Sequence, residues 1–222
     1  MLLLCQGEED MSTPWSDGPL DADICVIGEA PAIQEMIRQR PFVGESGSAL
    51  DACLHQAGLL RHNIRLENVI REKIRNTDPY LGKHGLTTKG REAAEDLKGR
   101  LLEGNYKVLV PLGNLALAAV TGMKGITRYR GPPLPCTLID GMRVIPTIHP
   151  AATLIGRGKY LWIYDIVADL RKAKRHAANL DCLPKRNLII DPTHAECLAF
   201  LHDLYYEPRF GFDIEVYNYQ VS

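Results

Sequence analysis

The chain has 222 residues, with 45% hydrophobic and 24% charged positions, and 26 Lys+Arg against 27 Asp+Glu leave a formal net charge of −1. These ordinary globular values exclude a disordered tail, a collagen-like fibre and a disulfide-stapled miniprotein. Any nucleic-acid binding must come from a local patch rather than from bulk charge. Cys5, Cys25, Cys53, Cys136, Cys182 and Cys197 are scattered without a C-x-x-C pair. Zinc-ribbon and redox-dithiol spacings are therefore absent, and a reducing cytoplasmic setting is expected. Met1 to Cys5 is too short for a signal-peptide core, and no apolar run approaches the ~18 residues of a membrane span, so no membrane partner is expected.

In chain order, Ile24-Cys25-Val26-Ile27 reads as a strand buried on both faces of a parallel sheet, ending at Gly28. A Gly/Pro-bearing loop is expected from Glu29 to Gly47. Ser46 then caps a helix with Ala49, Leu50, Cys53, Leu54 and Ala57 on one face. Ile64, Leu66, Val69 and Ile70 mark a second strand interrupted by Asn68, and a polar stretch leads to a helix with Ala94, Leu97 and Leu101 inside. Val108 to Leu112 is the third strand, followed by a small-residue helix from Asn114 to Val120. Leu134–Ile139 and Met142–Ile145 flank Asp140-Gly141, a two-residue hairpin signal, and the second arm runs on to His149-Pro150. A long helix is expected from about Tyr160 to Ala178 with Trp162, Ile163, Ile166 and Leu170 inside.

Strands alternating with helices predict an α/β fold: a three-layer α/β/α domain over residues 21–180 with a central, mostly parallel four-stranded sheet. The pattern resets near Asp181. Leu188-Ile189-Ile190 reads as a strand, Thr193 caps a helix, and Arg209 to Val216 reads as a strand again. Residues 187–222 are too few to close a core of their own, so they either dock on the first domain or begin an incomplete second α/β piece.

In open parallel sheets, ligands bind outside the carboxyl ends of the strands. Glu29 follows strand one, Phe42 lies in the ensuing loop, Asn68 sits in strand two, and His149 follows the hairpin arm. A carboxylate, an aromatic face, an amide and an imidazole on one rim suit a planar heterocycle. Each has a plainer alternative: Glu29 as a turn-capping carboxylate, Phe42 as core, Asn68 as a turn former, and His149 as a satisfied strand-end residue.

Taken together, Gly28-Glu29-Ala30-Pro31-Ala32, Arg40-Pro41-Phe42-Val43-Gly44, Asn68-Val69-Ile70, Val110-Pro111-Leu112-Gly113 and Pro146-Thr147-Ile148-His149-Pro150 resemble the uracil-DNA glycosylase superfamily, in its G-E-x-P-G branch. The resemblance covers roughly Asp23 to Ala178. It implies hydrolysis of the N-glycosidic bond of a uracil flipped out of DNA, with Glu29 and His149 catalytic. Gly28, Ala30, Pro31, Phe42 and Asn68 would bind the base, and Pro150, Arg130 and Arg157 would contact DNA. Arg128 and Lys159 are further rim cations, and ordinary solvated surface is the alternative for all four.

Three departures stand out: Ala32 replaces the motif's last glycine, Arg71-Glu72-Lys73-Ile74-Arg75 replaces Lys-Cys-Arg-Pro-Pro, and cysteines of the branch's iron–sulfur cluster are missing. No cofactor, cluster or metal is therefore expected. Phe212-Asp213-Ile214-Glu215 resembles the D-x-E strand of proofreading 3′–5′ exonucleases. The expected partner is uracil-containing DNA, bound by a monomer or by part of a larger, phage-type polymerase chain. A catalytically weak DNA-binding module of the same fold is the alternative function.

Overall fold

A computed structural model describes residues 16–154, 159–178 and 192–206. The chain divides into two compact units, Met1–Cys182 and Leu183–Ser222. The first unit is built on a five-stranded sheet. Its strands are β1 (Ile24–Gly28), β2 (Arg65–Asn68), β5 (Val108–Pro111), β6 (Leu134–Pro135) and β7 (Arg143–Val144), in the order β2-β1-β5-β7-β6. The β2-β1, β1-β5 and β5-β7 pairs are parallel, and only β6 runs antiparallel. The expected four-stranded sheet thus gains an edge strand. The Asp140-Gly141 turn does join antiparallel arms, but they pair with each other as strands over two residues only.

Helices α2 (Glu45–Gln56) and α6 (Trp162–Ala177) lie on one face, and α3 (Thr88–Leu102) and α4 (Gly113–Thr121) on the other. Alternate residues of a strand therefore feed separate cores. Val26, Val108 and Val110 pack with Leu50, Leu54, Ile166 and Leu170, whereas Cys25, Ile27 and Leu109 pack with Ala94, Leu97, Leu115 and Ala118. Burial on both faces is why β1 and β5 read as unbroken apolar runs.

Several local expectations are corrected. The Glu29–Gly47 loop contains a short helix, α1 (Ile33–Arg38), closed by Gln39 in the left-handed region. Gly44, not Ser46, is the N-cap of α2. The polar stretch after β2 folds into a small hairpin, β3 (Leu81–Gly82) with β4 (Gly85–Leu86), and a short helix, α5 (Ile126–Tyr129), follows α4. β2 itself carries buried charges, Arg65 and Glu67, which an apolar pattern does not foretell.

In the second unit, Thr193 caps α7 (His194–Tyr205), its hydroxyl accepting the Glu196 N–H at 3.3 Å while Glu196 reaches back to the Thr193 N–H at 2.8 Å. The expected strands at Leu188–Ile190 and Phe212–Glu215 lie outside the described residues. Among the described residues, no helix is long and apolar enough to cross a membrane.

Candidate active site at the carboxyl ends of the strands

The site forms where the strand order reverses, because the chain after β1 turns one way to β2 and later crosses to β5 on the other side. Glu29 is the first residue beyond β1, Asn68 is the last of β2, and Gly113 opens α4 just beyond β5. β7 continues past Val144 as a ladder beside β5, with Ile145 N–H on Leu109 O (2.9 Å), Thr147 N–H on Pro111 O (3.0 Å) and Gly113 N–H on Thr147 O (3.0 Å). This extension delivers His149 to the same rim.

Gly113 lies between the Glu29 carboxylate and the base of the His149 side chain. Its φ of +88° is left-handed, and a Cβ there would stand 2.7 Å from Glu29 Oε1 and 3.3 Å from His149 Cβ. The Glu29 carboxylate accepts the Leu115 N–H at 3.0 Å and is also bonded by the Asn114 N–H, so it sits on the amino end of α4, where the helix dipole favours an anion. No cation pairs with it among the described residues. Burial consequently raises its pKa from the ordinary carboxylate range, against the lowering pull of those backbone donors. The helix-capping alternative for Glu29 is thus part of the geometry, and it leaves the carboxylate facing a cleft.

That cleft, of about 470 Å³, is lined by Glu29, Ala30, Pro31 and His149 together with Arg75 and Thr77. His149 is the N-cap of the 3-10 turn Pro150–Thr153, and its Nδ1 accepts the Ala151 N–H at 3.2 Å. An accepting Nδ1 places the proton of a neutral ring on Nε2.

Phe42 and Asn68 stand behind the cleft lining, at Gly28. A Cβ on Gly28 would collide with both Asn68 Oδ1 and the Phe42 ring, so the missing side chain lets the amide and the aromatic ring come together there. Both residues are buried, and the rings of Phe42 and His149 are stacked at 6.4 Å between centroids and 30° between planes. The Asn68 side-chain amide makes no hydrogen bond among the described residues, whereas its carbonyl is held by Arg100 Nη2 at 2.9 Å. A buried amide with unused donors and acceptors suits an incoming heterocycle edge.

The remaining sequence-predicted residues fare differently. Arg130 gives Nε to Asp169 at 3.0 Å and Nη2 to Asp165 at 3.1 Å, so its fork fastens α6. Asp169 also accepts the Thr147 hydroxyl at 2.8 Å, which steadies the strand carrying His149. Pro150 is buried and lies outside the cleft lining, and Arg157 lies outside the described residues. Sequence reasoning missed Glu35, a buried carboxylate that accepts the N–H of Ala32 and of Gly44, both at 3.1 Å, and so ties together the loops carrying Glu29 and Phe42. Its E/Q-type spacing from Ala32 was the available signal.

A model of the uracil DNA glycosylase superfamily matches residues 15–178. The chain belongs to this superfamily. It is 33% identical over 162 residues to a type-4 uracil-DNA glycosylase of Thermotoga maritima, covering 71% of this chain and 79% of that protein. To the type-4 uracil-DNA glycosylase of Archaeoglobus fulgidus it is 30% identical over 141 residues, covering 60% of this chain and 67% of the other.

The iron–sulfur cluster of the resembled branch does not fit the cysteines described in this superfamily member. Cys25 and Cys53 are buried in cores on opposite faces of the sheet. Among the described residues, no group of three or more His, Cys, Asp or Glu side chains is placed to hold a metal ion. Glu72, standing at the motif's cysteine, instead accepts the Tyr80 hydroxyl at 2.6 Å and Lys89 Nζ at 3.3 Å. No step of the proposed reaction passes through a cluster.

Proposed function

We propose that this protein is a uracil-DNA glycosylase, a monofunctional hydrolase that removes a flipped-out uracil and leaves an abasic site. The observation that carries the reading is the meeting of Glu29 and His149 about Gly113 on one cleft, with the Phe42 ring stacked on His149 and set beside Asn68 at Gly28. The base leaves the stack and enters the pocket, where Phe42 supplies a face and Asn68 reads the O4/N3 edge. As the glycosidic bond breaks, the electron pair moves onto the uracil and the sugar becomes oxocarbenium-like. The Nε2–H of His149 donates to the developing charge on O2, a preorganised contact of the kind typically worth ~3–4 kcal/mol. Glu29, ionised, orients the water that attacks C1′ and balances the sugar cation.

We further propose that residues 187–222 belong to an exonuclease-like domain of a polymerase chain, on the likeness of Phe212-Asp213-Ile214-Glu215 to a D-x-E strand. A single assay tests the function: incubation with a uracil-containing single-stranded oligonucleotide, followed by alkali. Strand scission at uracil supports hydrolysis, whereas binding without scission supports a DNA-binding module of the same fold.

A further inference from the structure

We infer that Arg61 is a positioning residue for the uracil site, acting through Phe42. The inference rests on the glycosylase reading and adds to it the device that sets the stacking face. Arg61 opens the 3-10 turn Arg61–Asn63, after α2, and none of the sequence motifs includes it. Its guanidinium is a hub for three chain segments. Nη1 donates to the carbonyl of Phe42 at 3.0 Å and to Asp51 Oδ1 of α2 at 2.8 Å. Nη2 donates to the carbonyl of Pro41 at 2.8 Å and to Asp17 Oδ2 at 3.0 Å.

These contacts converge on the backbone that carries the ring. Phe42 has a φ of +54°, a conformation that bulky L-residues adopt only when their surroundings impose it. The surroundings here are Arg61 on the carbonyls and Gly47, whose Cα packs so closely on the Phe42 carbonyl that no side chain fits between them. Asp17 in turn is locked to β2 through reciprocal backbone bonds with Leu66, at 3.0 and 2.7 Å, and takes a second cation, Arg40 Nε, at 3.0 Å. The sheet edge thus fixes Asp17, Asp17 and Asp51 fix the guanidinium plane, and the guanidinium fixes the two carbonyls that flank the Phe42 Cα. With that backbone held, the ring is aimed at Gly28 and toward His149. A lysine cannot reproduce this, because one ammonium lacks the planar fork that reaches two carbonyls and two carboxylates together.

The test is a double-mutant cycle on kcat/KM for uracil release from single-stranded DNA, with affinity for a strand carrying uncleavable 2′-fluoro-2′-deoxyuridine measured in parallel. Phe42→Ala is expected to lower kcat/KM roughly 10- to 100-fold, as loss of a base-stacking face does, and Arg61→Gln roughly 10-fold. The double variant should be no worse than Phe42→Ala alone, Arg61→Lys should fail to restore the rate, and affinity for the uncleavable strand should fall with kcat/KM. Losses that multiply in the double variant, or Arg61→Gln molecules that retain full activity per folded molecule, overturn the inference. Should Arg61→Gln fail to fold, Asp51→Asn removes one arm of the hub and must give a smaller loss that likewise vanishes beside Phe42→Ala. A wild type that releases no uracil refutes the glycosylase reading by itself. The cycle is then read on the uncleavable strand, where multiplying losses refute the positioning role.

Discussion

Two carboxylates withdrawn from water lie at the ends of neighbouring strands and have opposite surroundings. Glu67, in β2 opposite Ile27, is wholly buried and holds two cations, Arg65 at 3.0 Å and Arg100 in a very short contact. Arg100 extends the network to the carbonyls of Asn68 and Val69. Glu29, one residue beyond β1, has backbone donors from α4 and no cationic partner among the described residues, and it opens onto a cleft. The comparison teaches how to tell structure from chemistry. A buried acid neutralised on all sides holds a strand in place, whereas an acid held only by dipoles keeps lone pairs and a raised pKa for a substrate.

Breaking Glu67 should give the largest effect on stability. Glu67→Gln leaves Arg65 and Arg100 without their buried counter-charge, and urea unfolding is expected to show a loss of roughly 3–5 kcal/mol. If the variant is as stable as wild type, the pair is not the structural anchor described here. On the catalytic side, His149→Ala is expected to slow single-turnover uracil release by about 10²–10³, with unfolding little changed. Gly28→Ala should be milder, lowering kcat/KM on the order of tenfold, because its methyl group would intrude between the Asn68 amide and the Phe42 ring.

The smallest effect sharpens the contrast through pH. Because burial raises the Glu29 pKa, the acid limb of the rate profile should lie above the ordinary carboxylate range, with activity rising as pH increases through it. The sign for stability is opposite. A raised folded-state pKa means that ionising Glu29 disfavours the native state, so its contribution is full at low pH and lost as pH rises through the folded value. Glu29→Gln should therefore gain in Tm relative to wild type as pH rises across that window. A constant difference in Tm at all pH values would contradict the assigned environment.

Much of this architecture is legible in the amino-acid order. The runs at Ile24–Ile27 and Val108–Leu112 announce strands buried on both faces, and the motifs that follow them put Glu29 and His149 on one rim. Less legible were the features made by long-range partners. Helix α1 lies between Pro31 and Pro41 in a stretch rich in turn formers, and Glu35 within it is fixed by amides of two different loops. Arg65 and Glu67 look like exposed strand positions until Arg100, far along the chain on α3, closes the network. The ion pairs of Arg130 come into view only when α6 supplies Asp165 and Asp169. In the last two cases the deciding contact spans 33 to 39 residues, and local periodicity carries no trace of it.

The most direct test of the central claim is single-turnover release of uracil from a single-stranded oligonucleotide by wild-type protein and by Glu29→Gln. Release by wild type with a loss of about 10²–10⁴ in a folded Glu29→Gln variant is the predicted result. Equal rates for the two proteins would contradict it, because the unpaired carboxylate at the cleft would then take no part in breaking the bond.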